Sequence, residues 1–370
     1  MPRFSFFEKF IFPVSFVIFI AALFSSVAPY ISPQKSWVIA FLGLGFPVIY
    51  LLNFFFLVFW MMKRKKLFML PLIPFLIGLK SLPAFAQVRF NKTEEVQGQA
   101  SLKIMSFNVR NFDLYNWLGN WTGKSKTREQ IFEMIKKESP DVVCFQEFYT
   151  SDSGKFQTVK TMMKDVGMPF AHVVLPVSLH RIDHWGMAIF SKHPLINKKV
   201  IDFNHRGSNL CLYADLIANR DTVRVYNCHL QSIRFGQEDY RFINQVGYNI
   251  EEENTTGIKK IFSRLKIAFT KRAAQADTIA ANILSSVHPV ILCGDFNDTP
   301  SSYSYKTISE NLCDAFRESG HGFGSTYAGP FPAFRIDFIF HSPQIKSYDF
   351  TTIQRKLSDH YPVVCKVVLP

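Results

Sequence analysis

Acidic residues are almost missing from the first quarter of this chain: residues 1–90 carry nine Lys or Arg but a single acid, Glu8. Of the net charge of +13, that stretch supplies +8, so residues 91–370 are only mildly basic at +5. No dense basic stripe with interleaved aromatics occurs, which argues against a dedicated nucleic-acid surface. The six cysteines (Cys144, Cys211, Cys228, Cys293, Cys313 and Cys365) show no CxxC spacing and no short framework. That excludes a zinc knuckle or a disulfide scaffold and leaves buried free thiols as the expectation. No motif for a nucleophilic Ser or Cys is visible, and no internal repeat.

What is abundant near the N-terminus is apolar sequence. Residues 10–31 and 37–62 are free of charge apart from the turn between them and long enough to cross a bilayer as helices. Both runs exceed ordinary core helices, which disfavours a buried soluble pair. Lys63-Arg64-Lys65-Lys66 follows, a cluster of the kind that stays in the cytoplasm, and Arg3 and Lys9 place the N-terminus on the same side. A shorter run, Leu67 to Leu79, makes a third crossing if it continues through Lys80 to about residue 87, with the remainder outside the cytoplasm. Two alternatives stand beside this. Ala84-Phe85-Ala86 imitates a signal-peptidase site, and a re-entrant run would leave the remainder cytoplasmic. The expected organisation is a membrane anchor over 1–87 with two to three helices (10–31, 37–62, 67–87), a polar linker over 88–100, and a globular domain over 101–370.

Within 101–370, strand-like runs alternate with helical ones. Strands are expected at 102–107, 141–145, 171–175, 186–191, 222–228, 290–295, 335–340 and 361–369. Helices are expected at 127–138, 155–166, 258–286 and 301–311, with a polar insertion over 232–257. The helix at 258–286 carries an apolar stripe flanked by Lys and Arg, which reads either as a membrane- or anion-facing surface or as a solvated helix with a core stripe. The central stretch is Val290-Ile291-Leu292-Cys293-Gly294-Asp295-Phe296-Asn297-Asp298, where an unbroken apolar strand opens into a loop bearing an acid and an amide two residues apart. Other strand ends deliver Asn108, Glu147, His229, Asp337, and Asp359 with His360. Singly these are turn, cap or core residues. Together they are hard oxygen donors and imidazoles, a mixture suited to metal-assisted attack of water on a phosphoester.

Ser-Phe-Asn-Val-Arg at 106–110, Gln-Glu at 146–147, Gly-Asp-Phe-Asn-Asp at 294–298, Arg-Ile-Asp at 335–337 and Ser-Asp-His-Tyr-Pro-Val at 358–363 resemble, in order, the motifs of the endonuclease/exonuclease/phosphatase superfamily. The resemblance implies an α+β four-layer α/β/β/α sandwich and a Mg²⁺- or Mn²⁺-dependent phosphoester hydrolase. It implies Glu147 as principal metal ligand, with Asn108 beside it and Asp359 as a second. Asp295 would orient or deprotonate the attacking water, and Asn297 would donate to phosphoryl oxygens. His360, oriented by Asp337, would contact the scissile phosphate, with His229 a further phosphate contact or acid. Arg110 and Trp185, with Arg181, Arg206 and Lys192, are candidate substrate contacts. The sequence Asn227-Cys228-His229-Leu230-Gln231 departs from the Tyr and Pro-Asn of the abasic-site repair branch. The expected partners are the bilayer and a phosphoester: a phospholipid headgroup, a small phosphodiester, or nucleic acid outside the cell. A catalytically silent membrane-bound binding module is the alternative from another class.

Overall fold

A computed structural model describes residues 5–63, 65–88, 101–118, 126–203, 209–218, 220–233, 252–329 and 334–370. The chain forms two compact units, one of Met1–Pro83, Gln231–Asp277 and Asp298–Thr307, the other of Ala84–Leu230, Thr278–Asn297 and Ile308–Pro370.

The first unit opens with α1 (Phe6–Val27), whose capping box joins Ser5 and Glu8. It is the one described helix that alone is long and apolar enough to cross a membrane. The run at 37–62 is not one straight helix as expected. It breaks into α2 (Trp37–Leu44) and α3 (Phe46–Met62), bent by 73°. Gly45 lies at the break and Pro47 in the first turn of α3, where its missing N–H removes a bond that a continuous helix needs. The continuous span expected over 67–87 does not form either. A 3-10 turn, Lys66–Phe68, leads into α4 (Met69–Gly78), and Ala86–Gln87 is a strand. Gly78 permits a close approach at the end of α4, since a Cβ there would lie 2.4 Å from the Tyr50 ring.

The same unit holds the first part of α7 (Glu252–Leu284), which begins inside the stretch expected to be an insertion; residues 234–251 of that stretch lie outside the described residues. Leu265, Ala268 and Phe269 are buried, and the Phe262 ring meets Trp37 at 6.1 Å and Phe41 at 5.1 Å. Arg272 is not part of a solvated basic face. It is buried, ion-paired to Asp298 at 3.0 Å, and donates to the Gln231 carbonyl at 3.0 Å. Ser301 Oγ donates to the Gly43 carbonyl at 2.7 Å.

The second unit is built on β1 (Ala86–Gln87), β2 (Ser101–Asn108), β3 (Val142–Ser151), β4 (Phe170–Leu179), β5 (Asp183–Ser191), β6 (Leu195–Ile201), β7 (Cys211–Ala218), β8 (Asp221–His229), β9 (Val290–Asp295), β10 (Cys313–Asp314), β11 (Gly322–Phe323), β12 (Asp337–His341), β13 (Lys346–Thr352) and β14 (Val363–Val368). Apart from the short β1–β11 pair, they form two mixed six-stranded sheets, ordered β10-β12-β9-β8-β7-β6 and β13-β14-β2-β3-β5-β4. Inner-face residues of both sheets, among them Ile104, Cys144 and Ile189 from one and Leu212, Val225 and Ile291 from the other, share one buried cluster. On the outer face of the second sheet, Ile131, Phe132 and Ile135 of α5 (Thr127–Glu138) pack on Met105, Phe107 and Phe145. On the outer face of the first, Ile279 and Ile283 of α7 are buried and Asn282 accepts from Tyr226 Oη at 2.8 Å. The result is the α+β sandwich expected, with helices outside two packed sheets.

Element bounds differ in detail. The helix at 155–166 is a 3-10 turn plus α6 (Thr158–Lys164), and that at 301–311 is α8 (Tyr303–Ile308) plus a 3-10 turn. Strands β6, β7 and β13 were not anticipated; β6 is an edge strand whose middle residues are exposed and polar.

A polar bridge crosses the apolar interior. Gln146 of β3 donates to Asn227 Oδ1 of β8 at 2.7 Å, and Asn227 Nδ2 donates to the carbonyls of Phe145 (2.9 Å) and Ala188 (3.0 Å) in the opposite sheet. Both side chains are fully buried. Asn227→Ala leaves the Gln146 amide and two carbonyls without these partners, so stability should fall by about 2–3 kcal/mol. Denaturant titration checks this, and an unchanged midpoint would contradict the bridge's structural role.

Candidate active site

Strand register assembles the site. Parallel pairing of β8 with β9 sets His229 beside Asp295, and antiparallel pairing of β9 with β12 sets Asp295 beside Asp337. Three functional side chains thus stand in a row at one sheet edge. From the other sheet, parallel pairing of β2 with β3 brings Asn108 opposite Gln146 and next to Glu147.

Backbone geometry aims the side chains. Glu147 (φ 48°) and Asn297 (φ 51°) both occupy the left-handed region, unfavourable for residues with a Cβ. Glu147 sits where the pairing of β3 with β5 shifts register between Phe145 and Phe148, so a bulge turns its carboxylate toward the site. Gly294 is required by crowding, because a Cβ there would lie 2.1 Å from the Cys228 carbonyl oxygen. After β2, Arg110, Asn111, Phe112 and Asp113 run through four left-handed residues (φ 41°, 57°, 56° and 53°).

Asp295, buried, accepts from Asn108 Nδ2 at 3.0 Å, from the Asn297 amide at 2.8 Å and from Asn297 Nδ2 at 3.2 Å. Its Oδ2 also lies 3.6 Å from His229 Nε2 and 3.7 Å from His360 Nε2. Burial pushes its carboxyl up to about 6, against the pull of the imidazole of His360. His360 Nδ1 contacts Asp337 at 2.9 Å. Burial works against charge on that ring, yet Asp337 and Asp295 hold its pKa well above the ordinary histidine value. Asn108 Nδ2 donates to Glu147 Oε1 at 3.3 Å, and His229 Nε2 is 3.8 Å from the same oxygen. Burial and the nearby charge of Asp359 raise the Glu147 carboxyl. Converging carboxylates that destabilise one another's charge are donors that suit a divalent cation.

Asp295, Asp337 and His360 also offer ligand atoms within 4.8 Å of one another. His360 already spends Nδ1 on Asp337 and is biased toward the cation, so this group is better suited to proton and charge handling than to holding a metal.

Arg110 lies beside Asp359 at 3.2 Å with its guanidinium 3.9 Å from the Trp117 ring centroid, so its charge is held next to the site. Trp185 packs on Tyr149 with ring centroids 5.2 Å apart and the rings tilted by 39°. Arg181 lies at the turn between β4 and β5. Lys192 is instead tied to Ser139 and Asp141 at the start of β3, the end remote from Glu147, so it is no rim contact. Arg206 lies outside the described residues.

Sequence reasoning missed a strap formed by residues 326–328. Thr326 Oγ1 accepts from the amides of Ile336 and Asp337, each at 3.0 Å, and its carbonyl accepts from the Tyr361 amide at 2.7 Å. Ala328 donates to the Asp359 carbonyl at 2.7 Å, and the Tyr327 ring packs edge-on against His360 at 5.8 Å. These residues set the spacing of the two strand ends that carry Asp337 and His360. Only a polar Gly-Ser-Thr-Tyr loop signals them, without periodicity.

Fold and site together define a hydrolase that uses acids, amides and imidazoles at a sandwich edge. Residues 105–360 match the Endonuclease/Exonuclease/phosphatase family, and residues 8–85 match a domain of unknown function (DUF8431). The endonuclease/exonuclease/phosphatase from Bacteroides vulgatus is 19% identical and matches over 74% of this chain and 100% of its own, with TM-score 0.52. ANGEL2, a 2',3'-cyclic phosphatase, is 16% identical over 76% of this chain and 99% of its own, with TM-score 0.52. The corresponding protein from Beutenbergia cavernae is 18% identical over 73% of this chain and 72% of its own, with TM-score 0.50. No curated protein matches. The chain belongs to the endonuclease/exonuclease/phosphatase family and is a metal-dependent phosphoric ester hydrolase.

The charge balance at His360 is testable. Asp337→Asn replaces an anion by a neutral amide while burial still favours the uncharged ring, so the His360 pKa should fall. An NMR titration of the metal-free protein reads this directly, and an unmoved value would remove Asp337 as the cause.

Proposed function

We propose that this protein is a membrane-anchored, Mg²⁺-dependent phosphodiesterase whose substrate is a phospholipid headgroup or another phosphodiester at the membrane surface. The observation that carries the chemistry is the convergence of Glu147, Asn108, Asp295, Asn297, Asp337, His229 and His360 from both sheets at one edge.

In this reading Glu147, Asn108 and Asp359 hold Mg²⁺, with Mn²⁺ as substitute. When bound there, the cation would supply Lewis-acid polarisation of a phosphoryl oxygen and neutralise developing charge. Asp295 orients the attacking water and takes its proton, with its carboxylate aimed by the Asn108 and Asn297 amides. The His360 imidazolium, held by Asp337, faces the phosphoryl oxygens, and Asn297 Nδ2 donates to them by exchanging its Leu230 carbonyl acceptor. His229 contacts the phosphate from the β8 side, and Arg110, braced by Trp117, adds positive charge at the rim.

Placement beside a bilayer is supported by the N-terminal bundle. Glu8 pairs with Lys65 at 3.1 Å and Trp60 donates to Ser15 at 2.9 Å, so the basic cluster stands level with the start of α1. Near the other end of α1, Ser26 donates to the Pro74 carbonyl at 3.3 Å, and Tyr50 of α3 donates to the Phe75 carbonyl at 2.7 Å. Short as it is, α4 therefore climbs from the basic end to the opposite end. The helices α1 and α3, of 22 and 17 residues, reach roughly 33 and 26 Å. With the basic end in the cytoplasm, an odd number of crossings would leave the catalytic unit outside it. The weak basicity of residues 91–370 favours this substrate class over nucleic acid.

The test is hydrolysis by the full chain in detergent of bis(p-nitrophenyl) phosphate, DNA, RNA, and choline- and inositol-headgroup lipids. Activity should require Mg²⁺, vanish with EDTA, and fall at least ~10²-fold in Asp295→Ala and His360→Ala. Near-normal turnover by both variants would refute the assignment of roles, and cleavage of nucleic acid alone would replace the substrate class.

A further inference from the structure

We infer that Cys211 and Cys228 form a disulfide site that closes the β7–β8 ribbon one residue before His229. The two residues are direct cross-strand partners in antiparallel register. The His229 amide donates to the Leu210 carbonyl at 2.9 Å, which makes Leu210 and His229 a hydrogen-bonded pair. The next pair, Cys211 with Cys228, therefore faces across a non-hydrogen-bonded position, where Cα atoms approach to ~4.5 Å and side chains on one face converge. That separation falls in the range of about 4.4–6.8 Å that a disulfide spans without backbone movement. Their thiols are in contact, and both residues are fully buried.

Among the described residues no other two cysteines are paired in register. Cys293 stands opposite Ile339 and Asn227, Cys365 opposite Ile104, Cys144 opposite Ile189 and Ser106, and Cys313 opposite His341. All six thiols are free in this structure, Cys313 half-buried and the other five buried, and oxidation would change that state for the Cys211–Cys228 pair. Burial raises the Cys228 thiol well above its ordinary value and makes it a poor nucleophile once folded, so the bond forms as the ribbon assembles. Two thiols lose two protons and two electrons, and a disulfide donor such as glutathione disulfide is reduced to two thiols. Supply of such a donor in the cell rests on the extracytoplasmic placement proposed above. The link would fasten the strand that carries His229 to its neighbour at the site end, while leaving Asn227 free to bridge the sheets.

The test separates pairing from placement. Full-length protein, reduced and unfolded in urea, is returned to native detergent buffer with a reduced and oxidised glutathione mixture. Remaining thiols are alkylated and peptides mapped by mass spectrometry without reduction. The Cys211–Cys228 cross-linked peptide should dominate, with Cys144, Cys293, Cys313 and Cys365 alkylated, and Cys211→Ser should abolish it without creating another pair. Alkylation of both Cys211 and Cys228, or scattered pairing, overturns the inference. The same mapping is done on protein alkylated in intact membranes without reductant. A link found there supports both the pair and the placement. Free thiols there, with the link formed in the glutathione arm, support the pair and overturn the placement.

Discussion

The catalytic unit depends on one contact that its interior would not tolerate half-made: the amide-to-amide bond between Gln146 and Asn227 across the two sheets. Apolar packing between sheets is forgiving of small slides, since leucine and isoleucine find new neighbours at little cost. Amides with defined donors and acceptors are not forgiving, because a slide would strand them without water. Asn227 reads out two carbonyls of the opposite sheet, on β3 and β5, as well as the Gln146 side chain. The residues that follow these two in sequence, Glu147 directly and His229 two places on, inherit that alignment. The sheets are thereby locked in the one offset at which their functional edges coincide.

Beyond that lock, direction is set by unfavourable backbone. Glu147 and Asn297 are both held left-handed, one by a bulge and the other by the crowded exit of β9 after Gly294. Such conformations persist where surrounding hydrogen bonds over-determine them. Asn297 shows this, since its amide and side chain are both spent on Asp295 and its Nδ2 also reaches the Leu230 carbonyl at 3.1 Å. Strain here is the means by which neighbouring strands point their last residues at one another instead of outward.

Much of this was legible in the residues. The apolar run of β9, the acid and amide after it, and the imidazole and carboxylates at other strand ends marked the candidate site, because functional groups cluster at the ends of buried strands; the sandwich itself was implied by the family resemblance of those motifs. The unreadable parts have definite causes. Strand β6 is an edge with a polar middle, so alternation fails there. The break between α2 and α3 looks in sequence like uninterrupted hydrophobicity, since Gly45 and Pro47 are tolerated in membrane-type helices and their effect depends on neighbours. The strap at Thr326 works through a hydroxyl and backbone carbonyls, which leave no pattern. Lys192 was a candidate substrate contact only because a lysine's partner cannot be read from its own position.

The N-terminal helices share their compact unit with Gln231–Asp277 and Asp298–Thr307. Phe262 finds its ring partners in Trp37 and Phe41, and Ser301 finds its acceptor in Gly43. A fragment trimmed to the family-matched region would carry those surfaces into water uncovered. Removing the N-terminal helices is therefore a different operation from cutting a tether. It removes part of a folding partner, and the trimmed protein would need detergent or resurfaced residues near position 262.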